Sequence, residues 1–164
     1  MHTKKLVYTV LAILVAFSLV AASVMPARFT VKKGAKIEFY QGRSGVSFTK
    51  SEFSGVVRLT RPDDSSVGAT NHPKFTHSLL DVRLTKTNGE KVTFVLGSVY
   101  VFFVVRPNEV RAWERGELGL YRFDSWDQKW KECGSYLVRD KDGRPRIACR
   151  MRVFGVYGVA EIED

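Results

Sequence analysis

Residues 79–96 read LLDVRLTKTNGEKVTFVL, and this stretch decides the fold. Leu80, Val82 and Leu84 alternate with Asp81, Arg83 and Thr85, while Val92, Phe94 and Leu96 alternate with Thr93 and Val95. A period of two puts the first set on one face of an extended chain, so each half predicts a strand with one buried side. Asn88-Gly89 lies between the halves. That pair tolerates positive φ at both turn positions and predicts the tip of a hairpin joining residues 80–86 to residues 90–96. The run SVYVFFVV that follows, over residues 98–105, is rich in β-branched and aromatic side chains. It predicts a central strand buried on both faces.

The same texture extends in both directions. Upstream, residues 31–40 (broken at Gly34), 46–48 and 56–60 predict strands; downstream, residues 118–123, 129–133, 136–138, 146–153 and 156–162 do the same. Asn108 predicts the cap of a short helix over residues 109–114, closed by Gly116. A set of roughly nine or ten strands without intervening helices predicts an all-β fold, a single antiparallel β-sandwich, rather than a parallel α/β sheet. The 164 residues are 45% hydrophobic and 26% charged, a globular composition that excludes wholesale disorder and collagen-like structure. Two cysteines exclude a disulfide-dense scaffold and a four-thiolate zinc site.

The N-terminus is set apart. Lys4 and Lys5 precede a stretch from Leu6 to Ala27, 22 residues without a charge. A basic start followed by an apolar run predicts an export signal. Ala21, Ala22 and Ser23 offer a cleavage site; uncleaved, the run is long enough to cross about 30 Å of hydrocarbon as a helix. The expected organisation is therefore a signal peptide or transmembrane anchor over residues 1–27 and a β-sandwich domain over residues 28–164. Arg28, Lys32, Lys33 and Lys36 pull the other way, because basic residues flanking such a run favour the cytoplasmic side. Of the formal charge of +9, only Lys4 and Lys5 precede Arg28, so +7 belongs to residues 28–164 and favours anionic partners.

Near the C-terminus the segment ELGLYRFDSWDQKWKEC is followed by a hairpin and then RVFGVYGVAEIE. Leu118, Leu120, Tyr121, Asp124, Trp130, Phe154, Gly155 and Tyr157 fall where ZU5-like β-sandwich modules carry an "L-x-L-Y-x-Y-D" strand, a "K-W" strand and a final "F-[SG]-x-Y-x-L" strand. Residues 117–162 thus resemble the C-terminal half of such modules, which occur in bacterial cell-surface proteins. The resemblance implies a β-sandwich with an aromatic core and leaves activity unspecified.

The chemistry-bearing residues point to contact rather than catalysis. Cys133 and Cys149 are 16 residues apart. In an oxidising compartment they are expected to form a disulfide, the alternative being two buried thiols. Arg146, Arg150 and Arg152 share a parity along one predicted strand, with Arg139 and Arg144 flanking them across a turn. That basic face is either solvated or in contact with an anionic envelope polymer, lipid headgroups or another surface protein. No aromatics interleave with these arginines, which speaks against nucleic acid. Asp140-Lys141-Asp142-Gly143 starts like a calcium loop but lacks the later acidic ligands, so it reads as a turn. No cofactor is implied. The expectation is a non-catalytic extracytoplasmic module, membrane-anchored through Leu6 to Ala27 or secreted, with a structural or interaction role at the cell envelope. The alternative is a carbohydrate- or anionic-polymer-binding module, which requires Trp126 or Tyr40 exposed in a row or cleft.

Overall fold

The computed structural model describes residues 26–31, 34–51, 54–95 and 97–162. Most of the predicted signal or anchor segment, residues 1–25, lies outside the described residues, as do Lys32, Lys33 and Leu96. Among the described residues no helix is long and apolar enough to cross a membrane. The strands in chain order are β1 (Ala27–Val31), β2 (Lys36–Phe39), β3 (Ser44–Ser51), β4 (Gly55–Thr60), β5 (Leu80–Lys86), β6 (Lys91–Val92) and β7 (Gly97–Val104). A helix, α1 (Pro107–Glu114), precedes β8 (Leu118–Asp124), β9 (Lys129–Glu132), β10 (Tyr136–Arg139), β11 (Pro145–Arg150) and β12 (Gly155–Glu161). They form two antiparallel sheets. One runs β1-β4-β5-β12-β8-β9, with β6 also paired to β5; the other runs β10-β11-β7-β3-β2.

The period-two pattern decides which faces meet. Val82 and Leu84 of β5, Leu120 of β8 and Tyr157 of β12 pack from the first sheet against Val46 and Phe48 of β3, Val101 and Phe103 of β7 and Ile147 of β11. Tyr157 is fully buried, and its hydroxyl donates to the Val153 carbonyl at 2.5 Å, so the one polar atom of this ring is satisfied. β7 is central in its sheet, between β3 and β11, and its outward-facing Phe102 is also buried. The expectation of burial on both faces holds at Phe102 alone; Ser98, Tyr100 and Val104, which point the same way, are half-buried. Two packed antiparallel sheets of this kind form the architecture of a β-sandwich.

Four local expectations are corrected. The hairpin after β5 is present, but only Gly89 of the Asn-Gly pair has a positive φ, at 86°. The Gly89 N–H donates to the Lys86 carbonyl and Asn88 Oδ1 accepts from the Glu90 N–H, a turn over Thr87-Asn88 closed by a glycine bulge. β6 stops at Val92 rather than near residue 96, because β12 takes the same edge of β5 at Leu80 to Val82. The helix starts at Pro107, not after Asn108: proline suits the first turn, and the Glu109 carboxylate accepts the Arg106 N–H at 2.7 Å. Finally, β11 ends at Arg150. The following residues leave that sheet, Phe94 and Val153 forming a bridge and Arg152 accepting the Val95 N–H.

Residues 61–79 fold over the outer face of the first sheet and create a second, smaller core. Trp130, Leu79, Val156 and Ala69 are buried there, with the Phe75 ring 4.6 Å from that of Trp130. Asn71 closes the edge of β9 as a strand would: its amide donates to the Trp130 carbonyl and accepts the Trp130 N–H. An exposed strand edge is thereby covered by a side chain.

Candidate functional site

The five arginines singled out in the sequence do not form one face. Arg146 points outward from β11 but is only 3% exposed, so it is not the surface contact its parity predicts. Its guanidinium lies 4.4 Å from the Phe102 ring centroid and pairs with Asp140 at 2.5 Å and Glu38 at 2.9 Å. Gly45 stands beside Phe102 in β3 and leaves room for its ring; a Cβ there would come within 2.6 Å of the ring and 2.1 Å of the Ile37 carbonyl oxygen. Arg144 pairs with Asp140 at 2.9 Å, and Arg139 donates to the Gly143 carbonyl. Burial would raise the Asp140 carboxyl. The Arg144 and Asp142 N–H groups and the two guanidiniums outweigh it and hold the group far below the ordinary carboxylate range. Arg146, and then Lys36, lower Glu38 in the same direction. The residues that resemble the start of a calcium loop are thus a turn built on Asp140, with Gly143 at a φ of 75°.

Arg150 is exposed on the outer face of β11, while Arg152, beyond the end of that strand, lies on the other sheet's side. There it joins a groove of about 830 Å³ floored by Phe154, Gly155 and Val156. Trp126, 93% exposed, and Phe94, 70% exposed, line this groove. Trp126 sits in the β8–β9 turn, where Asp124 Oδ1 accepts its backbone N–H and Gln128 takes a positive φ of 53°. The acids of the groove are engaged: Asp81 with Arg83 at 2.8 Å, and Asp124 with Lys131 at 2.9 Å and Arg122 at 3.4 Å. Lys131, followed by the Trp126 N–H, lowers the Asp124 carboxyl. Among the described residues Arg152 has no ion-pair partner.

Cys133, just past β9, is bonded to Cys149 in β11, with Cα atoms 6.2 Å apart. The bond ties the edge of the first sheet to the second, and Cys149 lies in the main core.

A second cleft, of about 380 Å³, was not visible in the sequence. Arg43 after the β2–β3 turn, Arg61 after β4 and Arg106 before α1 all line it, together with Tyr40 and His77. The three arginines are far apart in sequence; only the topology brings them together. Among the described residues His77 is the one of these five with an ion-pair partner, Glu109 at 2.9 Å. Among the described residues no three or more His, Cys, Asp or Glu side chains come together as a metal site would require.

The fold and these surfaces define a two-sheet antiparallel β module on which these two clefts lie. No protein-family model and no curated protein sequence matches the chain.

Proposed function

We propose that this chain is a non-catalytic interaction module that works outside the cytoplasm, and that the groove between Phe94 and Trp126 is its contact surface. The observation that carries the reading is the exposure of these two rings, 70% and 93%, on one groove. Large apolar side chains left this open mark surfaces that a partner covers. Indole and phenyl faces stack on sugar rings, and Arg152 adds a positive charge beside them, so the favoured occupant is a carbohydrate or an anionic envelope polymer. The acids of the groove are held by cations, which supports a binding rather than an acid–base role.

Two further features support the location and the family likeness. The uncharged run from Leu6 to Ala27 behind Lys4 and Lys5 delivers the chain to the membrane, as a retained anchor or a cleaved signal, and the Cys133–Cys149 bond suits an oxidising compartment. Trp130, Phe154 and Tyr157 are buried, at 3%, 8% and 0% exposure, which supports the ZU5-like reading of residues 117–162. The test is a fluorescence titration with soluble laminarin, a neutral glucan, and with poly(glycerol phosphate). The reading expects a saturable change with one of them that Trp126→Ala abolishes, and Arg152→Ala weakens only the phosphate polymer. No change with either polymer removes the groove as a polymer site.

A further inference from the structure

We propose that the cleft between Tyr40, Arg61 and Arg106 is a separate site for a small organic oxyanion, a phosphate or carboxylate group carried on an apolar body. It shares no lining residue with the Phe94–Trp126 groove, so it goes beyond the reading above and stands or falls independently of it.

Four observations meet there. First, Arg43, Arg61 and Arg106 line one cleft whose lining includes no Asp or Glu, and among the described residues none of the three is in an ion pair. Elsewhere Arg83, Arg115, Arg122, Arg144 and Arg146 all have carboxylate partners. Like charges focused in a concave surface repel one another and concentrate counter-ions, and a guanidinium fork matches an oxyanion edge in two parallel hydrogen bonds. Second, two of these guanidiniums are pre-positioned: Arg61 lies 4.5 Å and Arg43 5.8 Å from the Tyr40 ring centroid. Third, Tyr40 is held there by an unfavourable backbone. Tyr40 and Gln41 take φ values of 51° and 58°, followed by Gly42 at 76°. Left-handed conformation at a bulky residue costs energy, and such strain gathers at ligand sites. Fourth, the wall beneath is apolar, with Leu79, Phe103 and Val105 almost fully buried, while the Ser44 and Ser78 hydroxyls add donors. A volume of about 380 Å³ is that of a small-molecule site rather than a polymer track.

The test is calorimetric titration of the full chain in polyoxyethylene detergent micelles with phenyl phosphate, benzoate and uncharged benzyl alcohol. The expected result is saturable binding of at least one anion and none of the alcohol. Phenyl phosphate against benzoate then tells a phosphate site from a carboxylate site. Arg61→Gln and Arg106→Gln should each weaken that binding by about tenfold or more. Both arginines are exposed, so melting temperatures measured in parallel should be unchanged. Trp126→Ala should leave the affinity as it is, which separates this site from the groove. The proposal is overturned by the absence of saturable binding of both anions up to about 10 mM. Equal affinity for benzyl alcohol, or full affinity in a folded Arg61→Gln variant, overturns it as well.

Discussion

Residues 139–152 hold five arginines, whereas Arg43, Arg61 and Arg106 are scattered over the first two thirds of the chain. In the dense run Arg144 and Arg146 are neutralised by carboxylates, whereas among the described residues no member of the scattered set is in an ion pair. Arg146 and Arg144 meet Asp140 from their own turn and Glu38 from β2, and the pairing of β2 with β3 and of β3 with β7 carries Glu38 across the sheet. Arg43, Arg61 and Arg106 end up at chain reversals with no carboxylate lining their cleft. Charge density along a sequence therefore says little about the field in space. What matters is which acids the topology delivers to each cation.

Replacements in and between these two regions test that contrast. The largest effect is expected at the shared core. Tyr157→Ala removes a fully buried ring and its hydrogen bond to Val153. Chemical denaturation should show a loss of about 3–5 kcal/mol. A native-like unfolding curve would mean that the two sheets are not held together as described.

Next comes the neutralised cluster. Arg146→Met keeps much of the apolar cover over Phe102 but leaves Asp140 and Glu38 without their shared cation. Thermal melts at neutral pH should show a drop on the order of 5–10 °C. The pH dependence sharpens the point. Asp140 and Glu38 both have depressed folded-state pKa values, so their contribution is complete above the unfolded carboxylate range, about pH 4 to 5. It is lost as the pH falls through the folded values. The wild-type melting temperature should therefore fall steeply in acid, and Arg146→Met should flatten that limb. Parallel acid limbs would show that Arg146 is not what holds these carboxylates ionised.

The smallest effect is expected in the scattered set. Arg61→Gln removes an exposed cation with no ion-pair partner among the described residues, so stability should change by no more than about 0.5 kcal/mol, in either direction. Within that range any stabilisation should be larger in low salt than in high salt, the signature of relieved repulsion in the cleft. A large destabilisation would show that Arg61 is a structural residue and that the contrast between the regions is false.

Much of the fold was legible because it depends on local pattern. The alternation in β5, the apolar run of β7 and the Asn-Gly turn each encode a strand or reversal within a few residues. What failed to show was competition between distant segments. The second half of the hairpin has the right alternation at Thr93 and Phe94, but β12, over 60 residues later, occupies the edge it needed. The parity of Arg146, Arg150 and Arg152 assumes one continuous strand; β11 stops at Arg150, so Arg152 belongs to the groove on the other sheet's side. Trp126 was readable as an exposed turn aromatic because Ser, Asp and Gln surround it. Phe94 was not, since its alternation argued for burial and only the early end of β6 leaves it open. The arginine cleft had one local trace, the Tyr-Gln-Gly-Arg turn after β2, whose left-handed residues no sequence pattern required.

The central claim is that this β module works outside the cytoplasm, and the cysteines report on it most directly. Intact cells are treated with an external protease, and protein from untreated cells is denatured under non-reducing conditions with a thiol-alkylating reagent and weighed. The account predicts that residues 28–164 are accessible to protease, or recovered in the medium. It also predicts that Cys133 and Cys149 resist alkylation, with a mass lower by two hydrogens, until reductant is added. A domain shielded from protease in whole cells, with both thiols freely alkylated, would place it in the cytoplasm and contradict the account.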